Sequence, residues 1–118
     1  MRTMHTPVEI AIGNVMLMLD RHGSHTTLRV KNTTQVPLRG VYLTLRTSPE
    51  VGANPAQFSF GTIAASAAAD PQQVELRFAP GVQQAVPEFA YPVYVLEFEV
   101  IITSPKDRMT GAFHISFA

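Results

Sequence analysis

The chain predicts an all-β fold, an antiparallel β-sandwich of about seven strands, and three observations carry that prediction. First, apolar and polar residues alternate. Leu28 and Val30 alternate with Thr27, Arg29 and Lys31, and Val41, Leu43 and Leu45 alternate with Tyr42, Thr44 and Arg46. A period of two sends successive side chains to opposite faces, the pattern of a half-buried strand. Second, turn-forming residues separate the runs. Asn32, Thr33 and Thr34 can bond their own backbone, and Pro37 cannot donate to a ladder. Third, no segment has the length and periodicity of an amphipathic helix.

Taken in order, Val8, Ile10 and Ile12 occupy even positions, then Val15, Leu17 and Leu19 odd ones. The parity changes at Gly13-Asn14, which predicts a bulge or a strand that crosses between sheets. Residues 20–24 read as a turn around Gly23, and residues 26–47 hold the two alternating runs. Residues 48–57, with two prolines and a glycine, read as a loop. A short strand follows at 58–63. The alanine-rich stretch 64–69 is a connection, too short to stand as a helix. Val74, Leu76 and Phe78 mark another strand, stopped by Ala79-Pro80-Gly81, and 82–88 is polar and irregular. Residues 91–103 are the most apolar run, with Tyr94, Leu96, Phe98, Val100 and Ile102 on one face. Residues 104–108 form a hairpin-like loop before a last strand at 111–117. The predicted core is Leu28, Val30, Val41, Leu43, Leu45, Leu76, Phe78, Leu96, Phe98, Phe113 and Ile115.

Composition narrows the function classes. The 118 residues suffice for one domain with its own core, spanning 1–118. Formal net charge is zero, which disfavours nucleic acid or anionic lipid as partner, since both select basic surfaces. Charged residues make up 15% of the chain, against roughly 25% in ordinary domains. A chain with so few charges is expected to cover part of its surface against something else. Cysteine is absent, so disulfides, thiolate metal sites and cysteine nucleophiles are excluded. The N-terminal stretch is interrupted by Pro7, Glu9 and Asn14 and has no small-residue cleavage site. It is too polar to insert into a membrane. The expected location is the cytoplasm, or outside the cell if the chain is excised from a longer precursor.

Chemistry-bearing residues are few. Asp20, His22 and His25 have metal-ligand side chains, but they flank a glycine turn where polar residues are ordinary, and no metal or other cofactor is expected. His114 has no matched base. Glu97 and Glu99 sit side by side on one strand face, whereas glycoside hydrolysis needs carboxylates on opposite sides of a bond. No nucleophile elbow, metalloprotease helix or phosphate-binding glycine loop occurs, so the chain is not expected to be an enzyme. Asn32-Thr33-Thr34 matches the N-glycosylation pattern, although a turn role explains it already.

The pieces LRVKNTTQVPLRGVYLTL, FSFGTI, VELRF and YVLEFEVIIT, in that order, resemble immunoglobulin-like accessory domains. The likeness is to the CARDB-type adhesion modules of prokaryotes and to the ear (appendage) domains of clathrin adaptors. It covers roughly residues 26–103, carries framework positions only, and implies an immunoglobulin-like sandwich that binds other molecules. The inter-sheet cysteines and tryptophan of antibody domains are absent.

The expected function is therefore a non-catalytic protein–protein interaction or scaffolding module, part of a larger assembly, whose partner is another protein or a second copy. The alternative is a carbohydrate- or surface-binding accessory module of an extracellular protein, which would need exposed aromatics such as Tyr42, Tyr91 and Tyr94. Strand parity turns Met16 and Met18, and Val93, Val95 and Ile101, away from the core. More outward apolar side chains than a half-solvated sheet needs make these five the expected interface.

Overall fold

Alternation becomes structure because a strand with one apolar face is stable only when that face is covered. The computed structural model describes residues 8–22, 25–79 and 93–116, which form nine strands. They are β1 (Val8–Ile12), β2 (Val15–His22), β3 (His25–Asn32), β4 (Leu38–Arg46), β5 (Val51–Asn54), β6 (Gln57–Ile63), β7 (Gln72–Phe78), β8 (Val93–Ser104) and β9 (Asp107–Ser116). One sheet has the order β1-β2-β3-β7-β5 and the other β6-β4-β8-β9, with every pairing antiparallel. The inner faces meet in one core that joins Leu17, Leu28 and Val30 of the first sheet to Leu43, Phe98 and Phe113 of the second. β2-β3-β7-β5 facing β4-β8-β9 is the strand order of an immunoglobulin sandwich. β6 is added beside β4, and β5 precedes β6 in the chain.

Nine strands replace the expected seven for two reasons. Gly13-Asn14 is neither a bulge nor a crossover between sheets. It is the two-residue turn of a hairpin in which Ile12 faces Val15, Ile10 faces Leu17 and Val8 faces Leu19. Facing positions across such a turn add to an odd number, so the inward set must change parity although both strands lie in one sheet. Gly13 takes φ +53°, as glycine does at the first loop position of tight hairpins. The second reason lies in residues 48–57. Within that expected loop, Val51–Asn54 pairs with β7 and buries Val51 in the core. A four-residue edge strand has too little alternation to be read from pattern alone.

The last hairpin is also tighter than expected. Ser104 closes β8, Asp107 opens β9, and only Pro105 and Lys106 turn. β2 likewise continues to His22, shortening the expected turn at 20–24. The irregular segment expected at 82–88 lies outside the described residues.

Most of the predicted core is buried, including Phe98. Leu76 and Phe78 are the exceptions and are only half-buried. β7 pairs with β3 through Gln72, Gln73 and Val74 alone, so Leu76 and Phe78 run past the start of β3 toward one end of the sandwich. Phe78 is covered there by Tyr94, with ring centroids 4.9 Å apart. At β4 the register with β6 shifts around Arg39-Gly40, and Gly40 takes φ +62°, the backbone of a glycine bulge.

Candidate interaction face

The four-stranded sheet turns a mixed surface outward. Its strands alternate cleanly, so Tyr42, Thr44 and Arg46 of β4 share this face with Val95, Glu97, Glu99 and Ile101 of β8 and with Arg108, Thr110, Ala112 and His114 of β9. Register sets the neighbours. Ile101 lies between Tyr42 and Arg108, Glu99 between Thr44 and Thr110, Glu97 between Arg46 and Ala112, and Val95 beside His114. Tyr42 is 38% exposed, Val95 46% and Ile101 41%.

Polar contacts hold parts of this face in place. The Tyr42 hydroxyl donates to Gln57 Oε1 at 2.9 Å. Arg108 Nε donates to Glu99 Oε2 at 2.7 Å. Because Arg108 is largely exposed, that ion pair contributes at most about 1 kcal/mol. It also fixes the chemistry of the two glutamates. Glu99 is held by Arg108 and Glu97 faces Arg46 across the strand pair, an arrangement of charge pairs along one strand rather than two carboxylates astride a substrate. A shallow depression beside the β8–β9 turn is lined by Ile101, Ile102, Thr103, Lys106, Asp107 and Arg108.

The five residues expected to form one interface do not lie together. Val95 and Ile101 share the outer face of the four-stranded sheet, six positions apart on β8, which is about 20 Å of strand. The side chain of Val93 lies outside the described residues. Met16 and Met18 belong to β2, in the other sheet, and point to the opposite outer face of the sandwich. There Met18 sits between Glu9 and Arg29, and Met16 between Ala11 and Lys31. Both methionines are half-buried. The sequence shows that each residue points outward; it does not show which sheet carries it.

Two exposed apolar residues escaped the expected set. Tyr42 alternates with Thr44 and was legible as outward-facing, yet it joins Ile101 only through the β4–β8 register. Val36, 49% exposed, lies in the β3–β4 connection, where no periodicity marks it. Of the tyrosines considered for a sugar platform, Tyr94 is buried in the core, Tyr91 lies outside the described residues, and Tyr42 is the one on this face.

His22 and His25 face each other across the β2–β3 pair. Among the described residues no group of three or more His, Cys, Asp or Glu is placed to hold a metal ion; the side chain of His22 is not among them. Asn32 has no exposed surface and its Nδ2 donates to backbone carbonyls, so the glycosylation pattern has no accessible acceptor in the folded chain. Among the described residues no helix is long and apolar enough to cross a membrane.

Comparison with known proteins adds no relative: the chain matches no protein-family model, no curated protein and no solved structure at a significant level.

Proposed function

We propose that the protein is a non-catalytic interaction or scaffolding module that meets its partner through the outer face of the four-stranded sheet. The carrying observation is the placement of exposed apolar side chains. Val36, Tyr42, Val95 and Ile101 are the exposed large hydrophobics among the described residues, and all but Val36 lie on this face. They stand at its two ends, Tyr42 and Ile101 in a row with Arg108 at one and Val95 at the other, with Arg46, Glu97 and Glu99 between them. The roughly 20 Å span suits an interface of standard size, in which apolar anchors are combined with charges that set register. A chain with zero formal charge fits a protein partner better than a polyanion. The strand order supports kinship of form with CARDB-type or adaptor-ear domains, both of which bind through surfaces and not through reaction centres. A cytoplasmic setting is proposed with it.

The test is a double substitution, Val95→Glu with Ile101→Glu. Both positions are exposed, so the melting temperature should stay within a few degrees of wild type. In extracts of the source cells the wild-type chain should elute in a larger complex and the double variant should not. Equal elution of the two would contradict the reading.

A further inference from the structure

β9 is an edge of the four-stranded sheet, and among the described residues no strand pairs with its second side. An edge strand offers a row of backbone donors and acceptors to another strand unless it is short, bulged, charged or broken by proline. The other three edges carry such guards. β5 has four residues, β1 has five with Glu9 facing out, and β6 meets β4 through two register shifts. β9 has none of them over most of its length. It keeps unbroken register with β8 through ten pairs, and its stretch MTGAFHIS, residues 109–116, contains no proline, aspartate, glutamate, lysine or arginine.

We propose that β9 pairs antiparallel with β9 of a second copy of this chain, joining two four-stranded sheets into one continuous sheet. Antiparallel self-pairing places a twofold axis across the strand. With the axis at Ala112, the outer face sets Ala112 against the partner's Ala112 and Thr110 against the partner's His114. The inner face sets Gly111 against the partner's Phe113. No like charges oppose each other and the smallest outward side chain lies on the axis. An axis at Gly111 would set Arg108 against the partner's His114, a pairing that disfavours association whenever the histidine is charged. Apart from its ladder with β8, β9 is approached by β1 and by the β1–β2 turn. Met109 packs toward Gly13, and Asp107 accepts from Asn14 Nδ2 at 3.1 Å; both side chains leave β9 on its inner side, as the pairing of Asp107 with buried Ile102 and the burial of Met109 show. Because the axis stands perpendicular to the sheet, the two Tyr42–Ile101 faces would point the same way and present a doubled surface. This pairing is independent of whether that surface binds a partner.

Sedimentation velocity on the purified chain across a concentration series tests the pairing, using wild type, Ala112→Lys, Ala112→Glu and an equimolar mixture of the two variants. Wild type should shift from the 12.9 kDa monomer to twice that mass as concentration rises. Each variant should stay monomeric, because like charges oppose on the axis, and the mixture should recover the dimer. A wild-type chain that is monomeric up to its solubility limit overturns the proposal. So do variants that associate as wild type does, or a mixture that stays monomeric. If either variant lowers the melting temperature, the double variants Thr110→Lys with His114→Lys and Thr110→Glu with His114→Glu, at exposed positions that face each other across the axis, make the same test without touching a half-buried site. Val95→Glu with Ile101→Glu should leave this dimer intact, so failure here is distinct from failure of the outer-face reading.

Discussion

The side-chain amide of Asn32 donates to the backbone carbonyl of Ile63 at 3.1 Å. Asn32 ends β3 in one sheet and Ile63 ends β6 in the other, so a single buried amide ties the two layers at one end of the sandwich. The same Nδ2 reaches the carbonyls of Val36 at 2.7 Å and Ala64 at 3.2 Å, while Oδ1 accepts from the Thr34 N–H at 2.8 Å and the Thr34 hydroxyl at 2.7 Å. The Asn32 N–H donates to the Ala67 carbonyl at 2.8 Å, which draws in the alanine-rich connection. Buried polar groups must be paired, and here one side chain pairs with three backbone carbonyls, the bond to Ile63 being the buried one.

Replacing Asn32 removes the amide donor to the Ile63 carbonyl, the buried bond of the three, while Val36 keeps the Thr34 hydroxyl and Ala64 the Ala67 N–H. Asn32→Ala should destabilise the fold by about 1–3 kcal/mol, the range for an unsatisfied buried group. Asn32→Asp should cost more, because a carboxylate cannot donate to any of those carbonyls and its charge is buried. Urea unfolding curves measure both, and an Asn32→Asp variant as stable as wild type would refute this role. The same burial predicts that the folded chain, offered to an oligosaccharyltransferase, keeps an unmodified mass at Asn32.

Phe98 and Gly111 form a second coupled pair. They face each other between β8 and β9, and a methyl group added at Gly111 would lie 2.7 Å from Phe98 Cζ. The ring, 1% exposed and 5.1 Å from Phe113, fills the space beside the glycine. Phe98→Ala should cost about 3–5 kcal/mol. Gly111→Ala should cost about 1–3 kcal/mol by overpacking. In a Phe98→Leu background the Gly111→Ala penalty should shrink, and a double-mutant cycle with no coupling would show the contact to be incidental.

The β1–β2 turn gives a third expectation. Gly13 combines a positive φ with a position where a Cβ would overlap Sδ of Met109. Gly13→Ala should cost about 1–3 kcal/mol from backbone strain and crowding together. In a Met109→Ala background only the backbone part should remain, so the substitution should cost less there. Equal costs in both backgrounds would remove the crowding argument.

Much of the fold was legible because alternation is a local property. Leu43 and Phe98 declare their faces by their own neighbours in the chain, and both are buried as expected. What depends on partners was not legible. The parity change at Gly13-Asn14 is the same for a bulge and for a hairpin, and only the pairing of Ile12 with Val15 decides between them. Val51–Asn54 is a strand because β7 lies beside it, and four residues cannot announce that. The expected interface suffered the same limit. Parity put Met18 and Ile101 on outward faces correctly, but sheet membership, set by long-range pairing, put them on opposite sides of the sandwich. Tyr42 reached Ile101 only through register.

The outer face of the four-stranded sheet can be interrogated directly by placing a photo-crosslinking amino acid at Ile101 and, in a separate variant, at Met18, then irradiating living source cells. The proposed function predicts a discrete higher-mass adduct from position 101, lost when Val95→Glu is added, and none from position 18 on the opposite face. Adducts of equal yield from both positions, or from position 18 alone, would contradict it.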